Sequence, residues 1–146
     1  MSVSLRRLAV IGIFVFASLV SAAWAGSHDA TLLETYWKAV EIGGAPVTLQ
    51  PGQREPHLVF AAKDNRVSGC TGCNRLIGRF EQDGDAISFK GVATTRMACP
   101  PPIDKQESAF LRALEATKWV HITGDSLELK DTSGKVLMRF EARCLR

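Results

Sequence analysis

From residue 36 onward the chain runs in short segments of alternating apolar and polar residues, and most of them end in a turn bearing glycine or aspartate. A period of two places alternate side chains on one face, so each segment reads as a half-buried β-strand. The alternation is clearest at Leu127/Leu129 and at Val136/Met138/Phe140. Asp83-Gly84-Asp85 separates residues 78–82 from 86–90, and Asp-Gly between alternating runs is a strong hairpin signal. Gly124-Asp125 does the same between residues 118–123 and 126–130, and residues 131–134 then turn the chain into 135–143. Earlier in the chain, residues 36–42 close on Gly43-Gly44, and residues 57–61 end at Lys63-Asp64-Asn65. Residues 46–55, with Pro46, Pro51 and Gly52, read as a loop with at most a short extended piece.

One segment has a different period. Ile103, Phe110, Leu111 and Leu114 recur at helical spacing, with Lys105, Gln106, Arg112 and Glu115 turned away from them. The spacing predicts a helix over 104–117, following Pro100-Pro101-Pro102, which cannot be helix interior, and Asp104 with Glu107 has the spacing of a capping box. About eight strands joined by hairpins, with one apolar helix stripe to bury, imply a mainly β (α+β) fold. The architecture expected is a small antiparallel β-barrel-like or strongly curled sheet with one amphipathic helix packed on it. Trp37, Phe60, Phe80, Phe89, Trp119 and Phe140 are expected in its core, some lining an apolar cavity if the barrel is not filled.

The N-terminus stands apart from this pattern. Arg6 and Arg7 precede an apolar run over residues 8–20, and Ala23 and Ala25 supply the small residues of a cleavage site. This is the order of a secretory signal peptide spanning residues 1–25, with cleavage before Gly26. The run is shorter than the roughly 20 apolar residues of a membrane span. Arg6-Arg7 also fits a twin-arginine signal, although a paired arginine is an ordinary basic n-region. Cleavage leaves residues 26–33 as a flexible lead-in and residues 34–146 as a single domain. Removing two of the 18 basic residues and none of the 15 acids lowers the net charge from +3 to +1. No basic run of nucleic-acid type remains. The expectation is a soluble, exported monomer, periplasmic or secreted, with no nucleic-acid partner and no membrane span after cleavage.

Cys70, Cys73, Cys99 and Cys144 then belong to an oxidising compartment and read first as two disulfides. Four cysteines allow three connectivities. A Cys70-Thr71-Gly72-Cys73 redox pair is the functional rival, with Arg75 as a cation that lowers a thiolate pKa. Gly69, Gly72 and Asn74 favour a loop there rather than a helix start. Structural zinc draws on two close ligand pairs, whereas Cys99 and Cys144 stand singly, so no metal is assigned. His28, His57 and His121 follow no metal or catalytic spacing, and no nucleophile elbow, phosphate-cradling loop or carboxylate pair is present. The chain reads as non-enzymatic and without a cofactor.

Gly72-Cys73-Asn74-Arg75 resembles the GCNR signature of META-domain proteins, the HslJ-like family. Thr94-Thr95-Arg96-Met97-Ala98-Cys99 is similar to the family's second signature, and Phe110-Leu111, Gly124-Asp125 and Gly134 fall where the family has them, so the resemblance covers residues 34–143. It implies a small β-barrel-like domain with one helix, in exported or lipid-anchored envelope proteins linked to stress or antibiotic tolerance. It also implies similarity to the fold of a secretin pilot protein that holds lipid in an apolar cleft. The family's shared pair corresponds to Cys73–Cys99, which leaves Cys70–Cys144, with an exchange of Cys70 and Cys73 as the close competitor. No cysteine occurs near the cleavage point to carry a lipid anchor. Asn74, Arg75, Thr94, Thr95 and Arg96 form either a structural polar cluster or a surface for a ligand or partner. The function expected is binding of an apolar small molecule or lipid, or of an envelope protein. The alternatives are thiol–disulfide exchange at Cys70/Cys73 and a purely structural or inhibitory interaction module.

Overall fold

The computed structural model describes residues 29–143. The signal-peptide segment, His28 and Cys144 lie outside the described residues. Strand β1 (Tyr36–Ile42) buries Trp37 and Ala39 in alternation with the outward Tyr36 and Lys38, and a bulge between Ala39 and Glu41 then brings Ile42 inward. β2 is the two-residue piece Ala45–Pro46, and β3 (His57–Ala61) buries Leu58 and Phe60. A single 3-10 turn over Lys63–Asn65 leads into β4 (Arg66–Cys70), and then come β5 (Arg75–Asp83) and β6 (Ala86–Thr94). The helix α1 (Pro101–Ala116) follows, and β7 (Trp119–Thr123), β8 (Ser126–Lys130) and β9 (Val136–Arg143) complete the chain.

All neighbouring strands are antiparallel, in the order β2-β1-β3-β4-β5-β6-β7-β8-β9, and β9 pairs back onto β1 from Tyr36↔Arg143 to Ile42↔Met138. That last ladder closes eight strands into a barrel, with β2 as an appendage of β1. The closure is uneven. β6 and β7 share only the pair Ala86↔Trp119, so the outer part of β6 has no strand on that side among the described residues. The helix covers this gap and reaches β1, β9 and β6. Phe110 meets Phe140 edge-on at 6.2 Å between ring centroids.

The barrel interior is filled. Trp37, Leu58, Phe60, Phe110, Leu127, Leu129, Met138 and Phe140 are fully buried in one contiguous core. Trp119, expected in that core, is 45% exposed instead. It opens β7 on the outward face, opposite Lys130, and the inward position next to it is taken by Val120.

Three other sequence readings are corrected. The helix begins at Pro101, ahead of the expected start, because Pro101 and Pro102 occupy its first turn, where no backbone donor is needed. The residue before them, Pro100, takes the cap position, so there is no Asp104–Glu107 capping box. β5 and β6 run past Gly78 and Lys90 because their glycines sit in a bulge rather than ending the strands. Lastly, part of the N-terminal lead-in is docked. Leu32 is buried, its carbonyl accepts from Trp37 Nε1 at 3.0 Å, and Ala30 N donates to Gly124 O at 2.8 Å.

Candidate functional site

The β4–β5 hairpin closes with Cys70 opposite Arg75, and residues 71–74 form its loop. Thr71 is buried and ties that loop internally: its N–H donates to Asn74 O at 2.9 Å, and its Oγ1 accepts from Asn74 N at 3.1 Å. Gly72 has φ 104°, a backbone angle that favours glycine, and the atom nearest a Cβ there, Gln53 Nε2 at 2.7 Å, is the movable end of a side chain. Gly72 N donates to Cys70 Sγ at 3.4 Å.

Cys73 is bonded to Cys99, with a Cα–Cα distance of 6.3 Å. Cys70 is buried and shares no bond with Cys73. The Cys144 half of the expected Cys70–Cys144 pair lies outside the described residues. Its neighbour Arg143 pairs with Tyr36, and β1 and β3 stand between β9 and β4. Three strand spacings of about 4.8 Å separate those two strands.

Asn74 is the hub of the cluster. Its Oδ1 accepts from Thr95 Oγ1 and from Met97 N, both at 2.8 Å. Its Nδ2 donates to the two carboxylate oxygens of Glu107 at 3.1 and 2.9 Å. Arg75 N donates to Thr95 Oγ1 at 3.1 Å, and Thr95 N donates to Arg75 O at 3.0 Å. Thr94 is a ladder partner of Leu76. Three segments therefore meet at one amide: the hairpin loop, the chain after β6, and the helix. The side chains of Arg75 and Arg96 are exposed and have no ion-pair partner among the described residues.

Glu107 is the site residue that the sequence reading missed. It is buried at 7% exposure, one helical turn from Ile103 and in line with Phe110 and Leu114. A carboxylate on an apolar helix stripe must be met by a donor, and that position was the available signal. Glu107 and the sulfurs of Cys73 and Cys99 lie within 4.8 Å of one another. Joined as a disulfide, the sulfurs are not thiolates and cannot act as metal ligands.

A second polar cluster lies on the outer face beside Cys70. Tyr36 stacks on His57 with ring centroids 4.4 Å apart and donates to Glu55 Oε1 at 3.3 Å. Glu55 also pairs with Lys38 at 2.7 Å. Burial, then the Glu55 charge and hydrogen bond, push the Tyr36 phenol up to about 12.

An apolar recess lies where the helix covers the open edge of β6. Phe89, Val92, Leu111, Leu114 and Glu115 line a groove of about 280 Å³. Phe89 and Val92 are three residues apart, and a regular strand would turn them to opposite faces. The bulge resolves this: Ile77 pairs with Ala93 and Arg79 with Lys90, so two residues of β6 oppose one of β5, and Gly91 has φ 56°.

The META domain family model matches residues 30–144. The chain belongs to the META-domain family. No curated protein matches it. Two solved structures have the same fold. An NMR structure of a protein from Burkholderia xenovorans is 24% identical, with a TM-score of 0.62 over 79% of this chain and 85% of that one. A second NMR structure is also 24% identical, with a TM-score of 0.60 over 77% of this chain and 94% of that one. No helix among the described residues of this META domain is long and apolar enough to cross a membrane.

Proposed function

We propose that this META-domain protein is an exported, non-enzymatic envelope protein, serving stress or antibiotic tolerance, that binds a small apolar molecule in the groove between α1 and β6. The observation that carries this reading is the groove itself. It sits where the barrel wall is weakest among the described residues, because β6 and β7 share one pair, and its walls are mainly apolar side chains from two different elements. Its volume, about 280 Å³, is at the small end of the roughly 300–1,000 Å³ range of ligand sites. That size suits one acyl chain better than a two-tailed lipid. Among the described residues the barrel interior is filled by buried side chains rather than open as a lumen.

The Gly72–Arg75 loop serves this function by holding the helix in place. The disulfide fixes the chain just before α1, and Asn74 grips α1 through Glu107. Export supplies the oxidising environment in which that disulfide persists. Native mass spectrometry of the protein purified from its own envelope tests the reading. A bound apolar small molecule, lost on substituting Leu111→Glu, is the expected result. Uniformly unliganded protein would reject it.

A further inference from the structure

On the outer wall of the barrel, Arg66 of β4 pairs with Arg79 of β5, and Arg79 pairs with Lys90 of β6. Residues directly opposite one another share a face, with Cβ atoms about 4.5–5.5 Å apart. Three cations thus form one row across three adjacent strands, an arrangement that costs stability unless something neutralises it. The row across β8, β9 and β1 is built the other way. There Arg139 lies between Glu128 and Glu41 and contacts them at 2.8 and 2.9 Å. In the cationic row, Lys90 has only a 3.9 Å approach from Glu81, with both side chains more than half exposed, and such a pair contributes little. Arg66 and Arg79 have no ion pair among the described residues.

The row also borders a recess. Arg66, Arg79 and Lys90, with Asp64, Ile77, Gly78 and Gly91, line a depression of about 480 Å³. Three cations face one carboxylate there. Gly78 and Gly91 present bare backbone, and the bulge at Gly91 displaces the strand between the charged side chains. Guanidinium groups offer paired donors matched to phosphate oxygens, and a lysine adds a mobile point charge.

We propose that this depression is a binding site for a phosphate group, with Arg79 at its centre and Arg66 and Lys90 on either side. The phosphate belongs either to a soluble phosphorylated molecule or to an anionic lipid headgroup. The site is separate from the α1–β6 groove: Lys90 and Gly91 face one side of the strand, and Phe89 and Val92 the other.

Two titrations of the purified protein test the proposal. In one, amide NMR follows addition of inorganic pyrophosphate. In the other, co-sedimentation compares vesicles of phosphatidylcholine alone with vesicles containing phosphatidylglycerol. Shifts at Arg66, Gly78, Arg79 and Lys90 with pyrophosphate identify a soluble ligand. Sedimentation that depends on phosphatidylglycerol, without those shifts, identifies a headgroup. In either case Arg79→Gln weakens binding by roughly fivefold, whereas Lys135→Gln, on the turn before β9, leaves it unchanged. Absence of both pyrophosphate and phosphatidylglycerol binding overturns the proposal. So does an equal loss from Arg79→Gln and Lys135→Gln, which would mark a response to net charge alone.

Discussion

The side-chain amide of Asn74 donates to both carboxylate oxygens of Glu107, at 3.1 and 2.9 Å, across the boundary between the β4–β5 hairpin and the helix. The same amide's oxygen holds Thr95 and Met97. Asn74→Ala removes the donor from a buried carboxylate and the acceptor from a backbone N–H. A loss of about 3 kcal/mol is expected, measured by denaturant unfolding. Glu107→Gln keeps a partner for Asn74 and should cost clearly less. Equal losses from the two variants would contradict the hub role.

The Cys73–Cys99 bond joins two of the same segments. Cys99→Ser is expected to cost about 3–4 kcal/mol through the loop it releases. Asn74 and the disulfide restrain the same stretch, so the double variant Asn74→Ala/Cys99→Ser should depart from additivity. Non-reducing peptide mapping should return the Cys73 and Cys99 peptides linked. A Cys70–Cys73 linkage would instead favour the thiol-exchange reading.

Tyr36 gives a pH prediction. Its phenol is raised to about 12 in the folded protein, first by burial and then by Glu55. The unfolded chain ionises at the ordinary value of about 10. Below that value the contribution of Tyr36 to stability is fully present, and it falls away as pH rises from about 10 through about 12. Unfolding followed from pH 8 to 12 should show this loss, and Tyr36→Phe should flatten the part that comes from the phenol. An unchanged slope in the variant would exclude Tyr36 as its source.

Gly91 links the two faces of β6. Nothing lies within 4 Å of a Cβ built there, so Gly91→Ala meets no clash, only the strain of φ 56°. A cost of about 1–2 kcal/mol is expected. NMR shifts should spread to Phe89, Val92 and Lys90 as the bulge relaxes. A variant as stable as the parent would mean that the bulge does not depend on glycine.

Much of the fold was legible because local signals agreed. Asp83-Gly84-Asp85 and Gly124-Asp125 are hairpin turns in the structure, and Met138 and Phe140 alternate inward as expected, whereas Val136 lies past a bulge, opposite Lys130, and Leu137 packs against the core in its place. Closure through β1 and β9 was not legible, since pairing between the two ends of a chain leaves no local pattern. Trp119 misled because a large apolar side chain at a strand end need not face inward. The polar cluster was visible as Asn74, Arg75 and Thr95, but Glu107 was read as a helix cap. Its short-range spacing fitted that role, and the amide that recruits it is far away in sequence. The α1–β6 groove depends on a bulge, and Gly91 alone did not announce one.

The groove carries the functional account, and titration of the isotope-labelled protein with a short-chain fatty acid below its micelle concentration tests it most directly. The account predicts saturable amide and methyl shifts centred on Phe89, Val92, Leu111 and Leu114, abolished by Leu111→Glu in a variant that remains folded. Absence of saturable shifts, or shifts that survive Leu111→Glu, would contradict it.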